Sequence, residues 1–223
     1  LIVVVDFSTK SYKGKEIPET VQNVERGAEA IVTLESFLGW KVVKKRRVPK
    51  AYRNPKLDQS LRTHRTRREA RLLREARNAG IPTPFVFDID LQEASLTMEF
   101  IEGPRLREIL TASYPDIENI CREVGLLLGK LHSSQISHGD LTTSNMILKD
   151  GHIHLIDFSL GTMPANDEEL GVDVHLLRRA FDSAHSELSD MVPVILDTYI
   201  SAFSRGDEMI LKADEIRKRG RYT

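Results

Sequence analysis

The dipeptide Asp150-Gly151, set between Met146 to Leu148 and Ile153 to Ile156, constrains this chain more than any other feature. Asp-Gly between two short apolar runs signals a two-residue hairpin, and a two-residue turn fixes the register of every pair behind it. Lys149 then faces His152, and counting outward sets Asn145 opposite Ile156. Asn145 therefore sits beside Asp157, twelve positions later, at one end of the hairpin. Two oxygen donors converging there suit a hard cation such as magnesium, which takes few protein oxygens and completes its shell with water and phosphate. Asp140 lies five residues before Asn145, in the loop that feeds the same strand, where it can take a proton from a nucleophile near that cation.

The full stretch reads His138-Gly139-Asp140-Leu141-Thr142-Thr143-Ser144-Asn145, then Ile156-Asp157-Phe158. A base, a cation-holding amide and a second carboxylate at these spacings form the layout of phosphoryl-transfer loops in kinases. Taken singly, Asp140 reads equally well as a turn cap, Asn145 as a strand start and Asp157 as a strand end. Together, with a hairpin of the right register between them, they point to chemistry.

Such chemistry needs a cation for the nucleotide phosphates, usually a strand lysine held by a helix carboxylate. Val43-Lys44-Lys45 ends a predicted strand, and a helix is expected over Lys56 to Ala79, stopped by Gly80 with Pro82 and Pro84 beyond it. Glu69, Leu72, Leu73 and Ala76 share one face of that helix. A lone acid on a buried face needs a cationic partner. Lys44 or Lys45 supplies it, since alternation turns only one of them inward; pairing along the helix with Arg62, Arg65 or Arg68 is the competing arrangement. Upstream, Gly27, Ala28, Glu29 and Ala30 occupy the place of a phosphate-binding loop. They lack the G-x-G-x-x-G pattern, but glycine and alanine still let phosphates approach the backbone. Met98 to Gly103, including Glu99 and Ile101, reads as a linker whose backbone meets an adenine edge.

The remaining pattern is α+β. Val24 to Leu34, Trp40 to Val43, Phe85 to Ile89 and Ser95 to Ile101 read as strands, and Gly103-Pro104 as a hinge. Ile117, Ile120, Val124, Leu127 and Leu131 recur at helical spacing, and Leu170 to Ala184 and Met191 to Phe203 are further helix candidates. A length of 223 residues allows one domain or two small lobes sharing a cleft. The expected division is a linker or fusion remnant at 1–19, a β-rich lobe at 20–102, and a reduced helical lobe at 103–223 that ends in a basic tail, Arg217 to Arg221. No apolar run approaches the roughly 20 residues that span a bilayer. The single cysteine, Cys121, excludes an internal disulfide. Both point to the cytoplasm and away from membranes.

Net charge is −1, but its distribution is uneven: Lys41 to Arg77 holds 15 Lys/Arg against three acids. Such a block faces an anion or an acidic partner, or is simply a solvated arginine-rich face. Tyr52 is its only aromatic residue, which argues against stacking along single-stranded nucleic acid.

Gly27 to Ala30, the run Pro49-Lys50-Ala51-Tyr52-Arg53-Asn54-Pro55, Met98 to Gly103 and His138 to Asn145 together resemble the small atypical kinase/ATPase of the KEOPS complex, the PRPK-like family. The resemblance extends from about Val24 to Arg221. It implies a bilobal protein-kinase-like fold that uses ATP and magnesium, with Lys45 on the phosphates, Glu69 as its helix partner, Asp140 as base, and Asn145 and Asp157 as metal ligands. It further implies work beside a subunit that makes threonylcarbamoyl-adenosine on tRNA, and in some archaea fusion behind that subunit. Gly139 departs from the arginine usual in protein kinases. Only 15 residues separate Asp157 from Asp173, with no A-P-E following. The platform for a peptide substrate is thus nearly absent, so a partner completes the site or water accepts the phosphate. A small-molecule kinase of the aminoglycoside or choline type shares H-G-D-x-x-x-x-N but carries a larger helical lobe. A non-catalytic scaffold would not need every one of these groups.

Overall fold

A computed structural model describes residues 22–26 and 29–220, with side chains from Glu29 onward. The expected leading segment 1–19, Gly27, Ala28 and Arg221 lie outside the described residues. The described residues divide into two compact units, one comprising those up to position 70 together with 84–101, the other 71–83 together with those from 102 onward.

The first unit is an antiparallel sheet in the order β1-β2-β3-β5-β4, formed by Gln22–Arg26, Ala30–Phe37, Trp40–Arg47, Ser95–Glu99 and Val86–Asp90 respectively. Leu38 and Gly39 both take positive φ in the turn joining β2 to β3, as a tight two-residue hairpin demands. β3 runs four residues beyond the expected Val43, because Lys44 to Arg47 pair with β2 and, as far as Arg46, with β5. Four consecutive cations do not prevent a central strand when alternate side chains find partners on opposite faces.

Helix α1 covers Pro55–Asn78. Asn54 caps it, its Oδ1 accepting from the amides of Lys56 and Leu57 at 3.0 and 3.4 Å. Pro55 then stands at the first helical position, where no amide hydrogen is needed. Gly80, at φ +78°, ends the helix in the left-handed conformation. Gln59 and Thr63 of α1 bond to the carbonyls of Gln92 and Leu91, tying the helix to the β4–β5 turn.

The second unit contains α2 (Leu106–Ile109), α3 (Ile117–Ser133), the hairpin β6–β7 (Met146–Lys149 and His152–Leu155), α4 (Asp167–Ala184), α5 (Met191–Ala202) and α6 (Gly206–Arg219). Gly125 and Gly129 of α3 let α5 approach closely; a Cβ on Gly125 would stand 2.3 Å from the Ile195 carbonyl oxygen. Asn166 and Glu169 cap the start of α4 reciprocally, each side chain bonding the other's amide.

Helix α6 is not signalled by the sequence pattern. Its sequence is largely charged, and only Met209 and Ala213 of its apolar side chains are buried. It packs on α4, where Arg178 meets Asp214 at 2.7 Å and Arg219 meets Glu168 at 2.6 Å. Arg217 to Arg219, expected in a tail, form its last turn. No helix among the described residues is long and apolar enough to cross a membrane.

Candidate active site

The hairpin has the register that Asp150-Gly151 dictates, with Met146 opposite Leu155 and Lys149 opposite His152. Both turn residues have positive φ. The pairing continues one step further, since the Ile156 amide donates to the Asn145 carbonyl at 3.0 Å. Asn145 and Asp157 are therefore neighbours by main-chain geometry.

Asn145 is buried, and its Nδ2 donates to Asp140 twice, to the main-chain oxygen at 2.8 Å and to Oδ2 at 3.0 Å. With the amide nitrogen turned to Asp140, Oδ1 is the atom Asn145 can offer a cation. Asp157 holds a left-handed backbone, φ +61°, which aspartate tolerates better than most residues but which still stores strain. Its Oδ1 accepts from the Ser159 amide at 3.2 Å and from the Ser159 hydroxyl.

The loop bearing Asp140 is clamped from behind by a residue whose role the sequence does not disclose. Asp173 on α4 is fully buried, and accepts from the amides of His138 and Gly139 at 2.6 and 2.7 Å. His132 adds Nε2 at 3.4 Å, which makes its Nδ1 the acceptor for the Tyr199 hydroxyl at 2.8 Å. Burial raises the Tyr199 phenol well above its ordinary pKa, so it remains a donor. His138 donates Nε2–H to the Ile156 carbonyl at 2.9 Å and accepts at Nδ1 from the Asp140 amide at 3.3 Å, a neutral tautomer that joins loop to hairpin.

Gly139 explains the missing arginine. It sits at φ +78°, and a Cβ there would lie 2.4 Å from the Leu160 carbonyl oxygen. Further along, Thr143 is held by His185, which donates Nδ1–H to the Leu110 carbonyl at 3.1 Å and accepts the Thr143 hydroxyl at 3.0 Å. Burial depresses the His185 pKa, in keeping with this neutral role.

In the β-rich unit Glu69 is buried with two cations. Lys45 Nζ lies 2.8 Å from Oε1, and Arg47 Nη2 lies 2.6 Å from Oε2. Of the two lysines left open by alternation, Lys45 is the inward one, while Lys44 is half-buried and stands opposite Thr97 across the sheet. Sequence reasoning does not single out Arg47, although it lies two residues from Lys45 on the same strand face. Of the helix arginines, Arg62 pairs with Asp58 at 2.7 Å and Arg65 with Glu29 at 3.2 Å.

Glu29 is exposed and tied to Arg65, and Ala30 is buried at the start of β2. Glu99 is engaged by the sheet edge, its amide donating to the Phe85 carbonyl at 2.8 Å and its carboxylate accepting from the Phe85 amide at 3.2 Å. Ile101 is buried.

Chemically, the helical unit holds an aspartate at a loop, an amide oxygen and a carboxylate adjacent to it. The β-rich unit holds a lysine fixed by a buried glutamate. Among the described residues no cluster of three or more His, Cys, Asp or Glu could cage a metal. One carboxylate plus one amide oxygen instead fits magnesium, which keeps several waters and shares phosphate oxygens.

A family model for the RIO domain matches residues 33–191. The KEOPS complex subunit Bud32 of Pyrococcus abyssi is 43% identical over 210 residues, which cover 89% of this chain and 95% of that protein. Probable bifunctional tRNA threonylcarbamoyladenosine biosynthesis proteins from Methanosarcina mazei and Methanosarcina acetivorans are 42% and 43% identical over 89% and 90% of the chain. The chain spans only about a third of their length, 35% and 36%. Among solved structures, the Rio2 kinase–ADP/Mg2+–phosphoaspartate complex from Chaetomium thermophilum superimposes with a TM-score of 0.60 at 13% identity, covering 94% of this chain and 72% of that one. The fold is thus kinase-like.

Proposed function

Because the chain belongs to the RIO-domain family, in the branch of the KEOPS subunit Bud32, we propose that it is an ATP-dependent phosphotransferase or ATPase serving threonylcarbamoyl-adenosine formation on tRNA. The observation that carries this reading is the Asn145 side chain, locked onto Asp140 by two hydrogen bonds and paired through its main chain with the residue before Asp157.

In the proposed reaction an acceptor oxygen forms a bond to the γ-phosphorus of ATP, the bond to the bridging oxygen breaks, and ADP leaves. Asp140 takes the acceptor's proton at its carboxylate. Lys45 neutralises phosphate oxygens, and Glu69 keeps its ammonium group in place. Asn145 Oδ1 and the Asp157 carboxylate would hold magnesium, which when bound screens the charge of the phosphates. Asp173 holds the amides of His138 and Gly139, and with them the loop that presents Asp140.

The acceptor is expected to be water or a group brought by a partner, since the 15 residues between Asp157 and Asp173 leave almost no platform for a peptide substrate. The partner we expect is the tRNA-modifying subunit, an expectation that rests on the bifunctional relatives being named for threonylcarbamoyladenosine biosynthesis. Incubating the chain with γ-labelled ATP, alone and with that subunit and tRNA, separates free phosphate from phosphoprotein. Magnesium-dependent label release or transfer supports the reading; no release and no transfer under any of these conditions overturns it.

A further inference from the structure

Thr143 opens the 3₁₀ turn Thr143–Asn145, and the chemistry above makes no use of it. Such turns are weak elements, short and with poorly aligned hydrogen bonds. The Asn145 amide donates to the Thr142 carbonyl at 2.9 Å, and no side chain caps the start of the turn. Yet this turn delivers Asn145, whose Oδ1 has to meet a cation at a defined point.

A bridge to two other elements of the helical unit holds the turn. The Thr143 hydroxyl donates to Nε2 of His185 at 3.0 Å, and Nδ1–H of His185 donates to the Leu110 carbonyl at 3.1 Å. His185 itself has little freedom. Its amide donates to the Phe181 carbonyl at 3.0 Å, at the end of α4, and its carbonyl accepts from the Leu188 amide at 2.8 Å. Its ring centre lies 5.5 Å from that of Phe181. Thr143 and His185 are each 1% exposed and Leu110 2%, so losing one partner strands the other away from water.

The loop from His138 to Asn145 is thus gripped twice from α4. Asp173 holds the amides of His138 and Gly139, ahead of Asp140, and His185, just past the end of α4, holds Thr143, ahead of Asn145. A ring that only filled the space beside Phe181 would be cheaper to bury as phenylalanine, since two buried ring nitrogens have to be offset by hydrogen bonds. We propose that His185 is a positioning residue for the metal site, acting through the Thr143 hydroxyl to set the place of Asn145 Oδ1. The inference rests on the reading of Asn145 as a magnesium ligand. Thr143 stands two residues from Asn145 in one tight turn, so a turn released at Thr143 shifts the ligand with it. Groups that hold a metal ligand in place typically change metal affinity by about 10–100-fold when they are removed. His185 acts from one step further back, which sets the expectation at about tenfold.

The test measures binding of a fluorescent, non-hydrolysable ATP analogue (mant-AMP-PNP) to the full chain across a magnesium series, together with the thermal midpoint of every variant. Thr143→Val exchanges the hydroxyl for a methyl group of like shape. It should raise the magnesium concentration at half-effect about tenfold and leave the affinity without magnesium at the parent's value. Thr143→Ser keeps the hydroxyl and should restore the parent's magnesium response. His185→Phe should match Thr143→Val, and the double variant should add nothing further, because both changes cut the same bridge. Should His185→Phe fail to fold, the valine and serine variants decide alone. A magnesium-dependent parent that Thr143→Val matches overturns the inference. So does a lowered thermal midpoint with the magnesium response unmoved, which is what a purely structural bridge gives, and so do effects that multiply in the double variant. A parent whose nucleotide affinity ignores magnesium overturns the metal site itself, and this inference with it.

Discussion

Replacing Asp173 by asparagine exchanges one carboxylate oxygen for an NH2 and removes the charge that holds the loop before Asp140. Asp173 is fully buried and uses both oxygens, Oδ2 for the His138 amide and Oδ1 for the Gly139 amide. Asparagine keeps one acceptor and turns its NH2 toward the other main-chain N–H, so two donors face each other without water. Hydrogen bonds to charged groups contribute about 1.5–3 kcal/mol, and stranding a buried donor costs about 1–3 kcal/mol. These descriptions overlap, so we expect a loss of about 2–4 kcal/mol, a large share of the roughly 5–15 kcal/mol typical of native proteins. The thermal midpoint should fall by about 4–16 °C at roughly 2–4 °C per kcal/mol. Urea unfolding measures the loss. ATP turnover below the lowered midpoint measures the displacement of Asp140, which should cost on the order of a hundredfold. A variant within about 1 kcal/mol of the parent and with full turnover would refute the clamp.

Lys45→Ala should cripple turnover and Lys44→Ala should not, because only Lys45 reaches Glu69; steady-state hydrolysis of the two variants decides, and the reverse outcome would turn the strand over. Glu69→Gln leaves Lys45 and Arg47 buried against a neutral group, so unfolding by denaturant should show a loss of about 3–5 kcal/mol; a loss near zero would show that the pair is solvated. Burial sets the His185 pKa, and that of His175, below the ordinary 6.5, so the unfolded chain binds these protons first. Their contribution is complete above about pH 6.5 and lost as pH falls from there through the folded-state values. Unfolding midpoints across roughly pH 5–7.5 should decline toward acid, and a flat profile would contradict the neutral bridge between Leu110 and Thr143.

Several of these groups are legible in the sequence because their geometry is local. Asp150-Gly151 fixes a register, and a register places Asn145 next to Asp157 with no knowledge of the rest of the chain. The face shared by Glu69, Leu72, Leu73 and Ala76 likewise needs only helical spacing, and it marks a buried acid in search of a cation. Arg47 is also within reach, since a residue two positions from Lys45 shares its strand face, but the four-cation run hides the strand's length. Asp173 is not legible. Its partners, the His138 and Gly139 amides, lie 35 and 34 residues away, and only the packing of α4 behind the loop brings them together. Helix α6 is obscured for a different reason: its surface is charged, and only Met209 and Ala213 give it an apolar seat. Glu29 reads as part of a phosphate loop from its place in the sequence, and the pairing of its carboxylate with Arg65, 36 residues away on α1, is not legible there.

The most direct measurement compares γ-phosphate release by the parent chain and Asp140→Asn at saturating magnesium-ATP, alongside nucleotide affinity. Asparagine keeps the size of the side chain but cannot take the acceptor's proton. Turnover should fall by on the order of 10²–10⁴ while affinity stays near that of the parent. Turnover close to the parent's would contradict the assignment of Asp140 as the base.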